Sequence, residues 1–163
     1  IQVEEKISSD VKTANKAIKA TLISRGIFKK RDYRRIKEPV VVFGKSGAAD
    51  GEFNKIWGVT YDKTNKRIIV ADSANLRLQT FDRRGIHLQT FPLSFKMLGI
   101  TIHPVNGNIF VSGLDSVIYV LDDQGKQLFT FGSKGSADGQ TDLPFGLAFD
   151  KMNRLFICDQ NNH

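Results

Sequence analysis

The chain holds a single cysteine, Cys158, among its 163 residues. That excludes an internal disulfide and, with it, the class of small disulfide-stapled folds. No Asn-x-Ser/Thr acceptor occurs either. Both absences point to a reducing compartment, and a cytoplasmic location is expected. No run approaches the roughly 20 apolar residues of a membrane-spanning helix, so no membrane partner is expected. The opening Ile1-Gln2-Val3-Glu4-Glu5 lacks the basic and then apolar layout of a signal peptide. It also lacks an initiator methionine, so the chain is expected to be part of a longer one.

Glycine is abundant by contrast: 14 glycines stand against 4 prolines, a balance that suits many turns rather than long helices. The net charge of +7 is unevenly placed. Residues 1–39 hold 11 Lys/Arg against 5 Asp/Glu, a net of +6, whereas residues 40–163 hold 13 against 12, a net of +1. Bulk charge therefore gives the larger part of the chain no general attraction for nucleic acid.

The chain repeats itself. Phe43-Gly44-Lys45-Ser46-Gly47-Ala48-Ala49-Asp50-Gly51 returns as Phe131-Gly132-Ser133-Lys134-Gly135-Ser136-Ala137-Asp138-Gly139. Gly58-Val59-Thr60-Tyr61-Asp62 returns as Gly146-Leu147-Ala148-Phe149-Asp150, and Val70-Ala71-Asp72 as Ile157-Cys158-Asp159. A middle copy is built around Gly99. It trims the front loop, with 8 residues from Phe91 to Gly99 against 15 in its neighbours. The marker glycines Gly58, Gly99 and Gly146 are 41 and 47 residues apart.

Short β-type runs are expected at 40–43, 58–62, 67–71, 76–81, 87–91, 99–103, 108–111, 116–121, 127–131, 146–150 and 155–158. Four short strands per roughly 40–50 residues describe a β-propeller blade. Near-continuous apolar runs such as Ile68-Ile69-Val70-Ala71 suit strands covered on both faces. Cys158 aligns with Ala71 and Val111 and reads as a small buried core residue. The third unit has only its first two strands, so 155–158 is expected to present an unpaired edge, and residues 40–163 alone to be poorly soluble or oligomeric.

Three domains are expected: a helix over 1–24, a basic linker over 25–39, and a partial propeller over 40–163. Ile7, Val11, Ala14 and Ile18 fall four, three and four apart, which is heptad spacing and makes oligomerisation through a coiled coil an expectation. Gly26 stops that helix. The linker carries Arg25, Lys29, Lys30, Arg31, Arg34, Arg35 and Lys37 against the single acid Asp32 of residues 25–37, with Phe28 and Tyr33 interleaved. It reads either as a solvated spacer or as an arm for RNA.

The unit Gly58-Val59-Thr60-Tyr61-Asp62, Ile69-Val70-Ala71-Asp72 and Asn75-Leu76-Arg77-Leu78-Gln79-Thr80-Phe81 resembles an NHL repeat, as does the Phe-Gly-x-x-Gly loop before it. The resemblance covers roughly residues 40–163. The middle unit departs from it at Ser112, Asp115 and Val117. A helix, a linker and such a propeller are together similar to the tripartite-motif NHL proteins. The fold class expected is therefore all-β, an NHL-type propeller with about three of six blades present and the third incomplete, preceded by an N-terminal helix. The resemblance implies a docking surface for protein or RNA. It also implies ubiquitin-ligase activity from a RING domain that this chain does not contain, so no catalytic residue, metal or cofactor is expected in it.

Candidate contact residues are Lys55, Trp57, Asn75, Lys96, Phe145 and Asn161, in or beside the loops before the first strand and after the second strand of each unit. Asp72 and Asp159 follow an apolar strand and precede a turn, where a short carboxylate accepts backbone N–H bonds, so both read as structural. Arg77 sits mid-strand among apolar residues and must be paired; an inter-blade clamp is expected. The mouth holding these loops counts four cations against seven acids, and the opposite mouth eight against five. Binding of a protein partner is the favoured function, in the manner of a ligase's substrate-recognition propeller. RNA binding in post-transcriptional regulation is the alternative. A lactonase-type enzyme ranks last, because His87, His103 and His163 fall at different repeat positions and cannot form a ring of ligands.

Overall fold

The structure, a computed structural model, describes residues 41–162. The expected helix over 1–24 and the basic linker over 25–39 lie outside the described residues. The expected fold class is corrected accordingly. Among the described residues there is no α-helix, only a 3₁₀ turn over Ser73–Asn75, and the arrangement is mostly β-sheet, consistent with a partial propeller.

A parallel pair of two-residue strands, β1 (Lys45–Ser46) and β2 (Glu52–Phe53), opens the order. The first four-stranded sheet is β3 (Ile56–Asp62), β4 (Arg67–Asp72), β5 (Arg77–Phe81) and β6 (His87–Pro92), each antiparallel to the next. The second is β7 (Met97–Ile102), β8 (Ile109–Gly113), β9 (Ile118–Leu121) and β10 (Gln127–Phe131) in the same order. A two-stranded sheet follows, β11 (Pro144–Phe149) with β12 (Leu155–Asp159). Strands of four to seven residues joined by tight polar turns leave each sheet only one way to fold, as a meander.

The sheets stack through their first strands, β3 beside β7 and β7 beside β11. The marker glycines explain themselves here. A Cβ on Gly99 would run into the carbonyl oxygen of Phe145, and one on Gly58 would meet Ile100 Cγ2 at 2.9 Å. The inner strands approach so closely that only hydrogen fits. Outside that seam, Ile69, Ala71, Leu78 and Phe91 of the first sheet bury against Met97, Ile100, Ile109, Val111 and Leu121 of the second.

Two local expectations are overturned. Residues 41–43 form no strand: no described strand lies beside them to pair with, Val42 is largely exposed, and the Phe43 ring instead packs on Phe81 and under Gly85. Phe91 makes the same contact under Gly125 of the second sheet, so a phenylalanine at this repeat position packs against a turn glycine of the sheet that follows it. Cys158 is exposed, not buried, because no described residue covers that face of β12. For the same reason Phe156 on β12 and Val59 and Tyr61 on β3 are open to solvent. β12 pairs only with β11, leaving its other edge without a partner among the described residues.

Candidate interaction mouth

Each inner strand begins with the same irregularity. The register slips between Ile56 and Gly58, between Met97 and Gly99, and between Pro144 and Gly146. The extra residues are Trp57, Leu98 and Phe145. A bulge re-aims the side chain it carries, and here it gathers three apolar side chains at one mouth. Trp57 and Phe145 approach to 5.4 Å between ring centroids with their planes tilted by 49°. Leu98, between them in the repeat, is buried, whereas Trp57 keeps 50% of its surface exposed.

The rim outside this patch is fixed by backbone bonds that recur in all three units. The N–H groups of Ser73, Leu114 and Gln160 donate to the carbonyl oxygens of Lys55, Lys96 and Leu143 at 3.3, 2.8 and 3.2 Å. Lys55 and Leu143 sit in the left-handed region, with φ of 55° and 57°. The Met97 N–H donates to the Ser73 hydroxyl at 3.0 Å, tying the rim of one sheet to the next. Between the two sheets this leaves a cavity of about 200 Å³ lined by Lys55, Trp57, Ala74, Lys96, Leu98 and Leu114.

The sequence count made this mouth acidic, but six of those seven carboxylates are engaged, and Asp138 alone stays exposed with no hydrogen bond or ion pair among the described residues. Asp72 is fully buried and accepts from the Asn54 N–H, the Asn75 amide, Arg77 Nε and Gln79 Nε2, at 2.7, 2.8, 2.9 and 3.3 Å. Glu52 pairs with Lys45 at 3.1 Å; the Ala49 backbone N–H and then that lysine hold its carboxyl below the ordinary range. Asp142 lies 3.8 Å from Lys134. Asp159 accepts from the Asp142 N–H and the Asn162 amide, both at 2.7 Å. Asp115 accepts the Tyr119 hydroxyl at 2.6 Å. Lys55 and Lys96 are exposed and form no ion pair among the described residues.

The structure therefore brings Lys55, Trp57, Lys96 and Phe145 together and separates out the other two candidates. Asn75 points its amide at the Gly47 carbonyl and at Asp72, so both its N–H groups work inside the fold. Asn161 is exposed, with its backbone N–H on the Asp142 carbonyl. Arg77 clamps, but not between blades. It holds Asp72 of its own sheet and donates to the carbonyls of Ala49 and Glu52 in the glycine-rich loop at 2.8 and 3.0 Å. The basic linker candidates Arg25, Lys29, Lys30, Arg31, Arg34, Arg35 and Lys37 lie outside the described residues.

Sequence reasoning missed Leu98, Leu114 and Ser73. Leu98 was findable, since it precedes Gly99 as Trp57 precedes Gly58. It also missed a consequence of the trimmed middle loop. Where a glycine-rich loop would lie, Phe95 stacks on Tyr119 at 3.5 Å between centroids and 9° between planes. Among the described residues no group of three or more His, Cys, Asp or Glu is placed to hold a metal ion.

Residues 53–81 match the NHL repeat family. The chain is 41% identical over 76 residues to Protein lin-41 of Caenorhabditis elegans, covering 42% of this chain and 6% of that protein. It is 45% identical over 51 residues to E3 ubiquitin-protein ligase TRIM71 of Rattus norvegicus, covering 31% and 6%. It thus spans about 6% of the length of these curated relatives. Among solved structures, a Bacteroides thetaiotaomicron protein of unknown function superposes with a TM-score of 0.56 at 20% identity, over 65% of this chain and 30% of that one. Hydrazine synthase of Kuenenia stuttgartiensis superposes with a TM-score of 0.54 at 10% identity, over 70% and 32%. At these identities the likeness is one of fold. The chain carries an NHL-repeat, β-propeller-like domain with weak homology to these two NHL proteins.

Proposed function

We propose that the chain is the recognition module of a larger tripartite-motif NHL protein and that it binds a protein partner at the mouth lined by Trp57 and Lys96. The observation that carries this reading is Trp57. A half-exposed indole braced on Phe145, beside a cavity with Leu98 and Leu114 in its walls, has the make-up of an interface anchor. Lys55 and Lys96 flank it and favour an acidic partner segment, chiefly through encounter rate and orientation. The likeness to a protein named as a ubiquitin ligase supports a substrate-recruiting role, with transfer chemistry located elsewhere in the whole molecule.

RNA is a second reading, favoured by the same two unpaired lysines beside two aromatic rings, since stacking surfaces and phosphate-neutralising cations are what single strands need. A photo-crosslinking residue at position 96 of the longer protein, expressed in its own cells, separates the two. A protein adduct lost on Trp57→Ala supports the first reading. An RNA adduct with the same dependence replaces it. No Trp57-dependent adduct of either kind rejects both.

A further inference from the structure

The middle unit leaves open a place that its neighbours fill with their own chain. Phe91 to Gly99 is 8 residues, against 15 from Phe43 to Gly58 and from Phe131 to Gly146. In the first unit the longer loop is held onto β5 from outside. The Asn75 amide donates to the Gly47 carbonyl, Arg77 to those of Ala49 and Glu52, and Gln79 to that of Glu52. In the third unit the Asn162 amide donates to the Gly135 carbonyl at 2.7 Å in the same way.

The middle unit has lost these anchors together with the loop. Ile118 pairs with Ser112 as Leu78 pairs with Ala71, which puts Val117 and Tyr119 at the places of Arg77 and Gln79. Gly113 pairs with Met97 as Asp72 pairs with Ile56, so the buried carboxylate is gone as well. Asp115 folds back into its place, up against the position of a Gly113 Cβ, and accepts the Tyr119 hydroxyl at 2.6 Å.

An open groove of about 400 Å³ remains, lined by Ser94, Phe95, Lys96, Leu114 and Asp115. The units on both sides are described, and the third is tied to this one by the Thr141 hydroxyl on the Ser116 carbonyl at 3.1 Å. Leu114 nevertheless keeps 48% of its surface exposed. The opening follows from the short loop, not from a sheet face that lacks its neighbour. Asp115 has its partner in Tyr119, whereas Lys96 is exposed and forms no ion pair among the described residues.

We propose that this groove binds a short extended segment of a protein partner, laid where the neighbouring units lay their own loop. The segment brings a carboxylate to Lys96, which orients it and speeds encounter, and an apolar side chain that takes Leu114 and the edge of Phe95 out of water. This rests on the reading that the chain recruits a protein. It adds a contact on the rim, next to the mouth at Trp57, with which the groove shares Lys96 and Leu114.

The test pans a display library of random twelve-residue linear peptides on the whole 163-residue chain. Each enriched peptide is then measured by fluorescence anisotropy on the parent and three variants. Ser94→Trp fills the groove from an exposed position that does not line the mouth cavity. Lys96→Glu reverses the cation and keeps the test decisive should Ser94→Trp fold poorly. Trp57→Ala removes the anchor of the mouth and leaves the groove intact. We expect peptides that pair an acidic residue with a leucine, isoleucine or phenylalanine, and that bind Ser94→Trp and Lys96→Glu at least tenfold more weakly than the parent. That pattern supports the groove whether Trp57→Ala retains the peptide, which makes groove and mouth separate sites, or loses it, which makes one segment span both. Peptides lost on Trp57→Ala but indifferent to Ser94→Trp leave the mouth standing and overturn the groove. The proposal is also overturned if no peptide is enriched, the groove then being empty or covered by residues 1–40 or a second copy. It is overturned as well if an eight-nucleotide oligouridylate, and no peptide, shows the Ser94→Trp dependence.

Discussion

Arg77 Nε donates to Asp72 Oδ2 across 2.9 Å, and the carboxylate it meets has no exposure to solvent. The rest of the guanidinium reaches the carbonyls of Ala49 and Glu52. One pair thereby joins the strand β5 to the turn after β4 and to the glycine-rich loop in front of the sheet. Gln79 adds two further ties, donating to the Glu52 carbonyl at 2.7 Å and accepting the Gly51 N–H at 2.8 Å.

Removing one partner of that pair strands the other. Arg77→Ala should cost about 3–5 kcal/mol, the range for breaking a buried ion pair from one side. Asp72→Ala should cost as much, and the double variant less than the two losses added. Urea denaturation of the three variants measures this; additive losses would show that the two groups act independently.

Gly99→Ala places a methyl group against the Phe145 carbonyl, on backbone that cannot move without parting two inner strands. Overpacking of a rigid site costs about 1–3 kcal/mol or more. Gly107→Ala is the control for space, since nothing lies near its missing Cβ, although its φ of 76° adds backbone strain. A thermal melt should rank Gly99→Ala as the more damaging, and the reverse order would reject the close-approach account.

Acid should loosen the turns. Burial pushes the Asp62 carboxyl up, but its donors from Asn65 and Arg67 outweigh that and leave it below its ordinary 3.8. Backbone N–H donors, from Ile86 to Asp82 and from Arg154 to Asp150, lower those two carboxyls first, with Arg84 and Arg154 side chains adding to the effect. Each group is more acidic folded than unfolded, so the unfolded chain takes up protons first as pH falls. The stabilisation is present above 3.8 and is lost below it as the folded carboxyls protonate. Melting temperature should be flat above about pH 5 and fall steeply under pH 4; Asp62→Asn should be less stable at neutral pH and less sensitive to acid.

Tyr119 offers an optical probe of the trimmed middle loop. Burial first, and then the hydrogen bond and charge of Asp115, push its phenol up to about 12. A group whose folded pKa is raised stabilises the fold below its unfolded value and loses that contribution as pH rises through the folded one. Ultraviolet titration should therefore show one of the three tyrosines ionising near pH 12, and Asp115→Asn should draw it down. An unshifted curve in the variant would remove Asp115 as a cause.

Much of the architecture was legible without coordinates, for reasons local to the chain. The Asp-initiated turns and the short β-branched runs are satisfied within a few residues of themselves, so the sequence alone determined most strands of the three sheets and their meander order. It also marked Trp57 and Phe145 as equivalent. Contacts between units were beyond it. That the bulges turn Trp57, Leu98 and Phe145 onto one mouth, that Cys158 and residues 41–43 lack cover, and that Arg77 holds its own sheet's loop depend on which unit packs on which. The charge of each mouth was the least readable of all. Counting residues made one mouth acidic and the other basic, whereas hydrogen bonds and ion pairs engage most carboxylates, Asp123 and Asp138 excepted, and Lys55, Lys96, Lys63 and Lys151 form no ion pair among the described residues. Formal charge is a property of the sequence; the charge that a partner meets is decided only once the fold has paired its own ions.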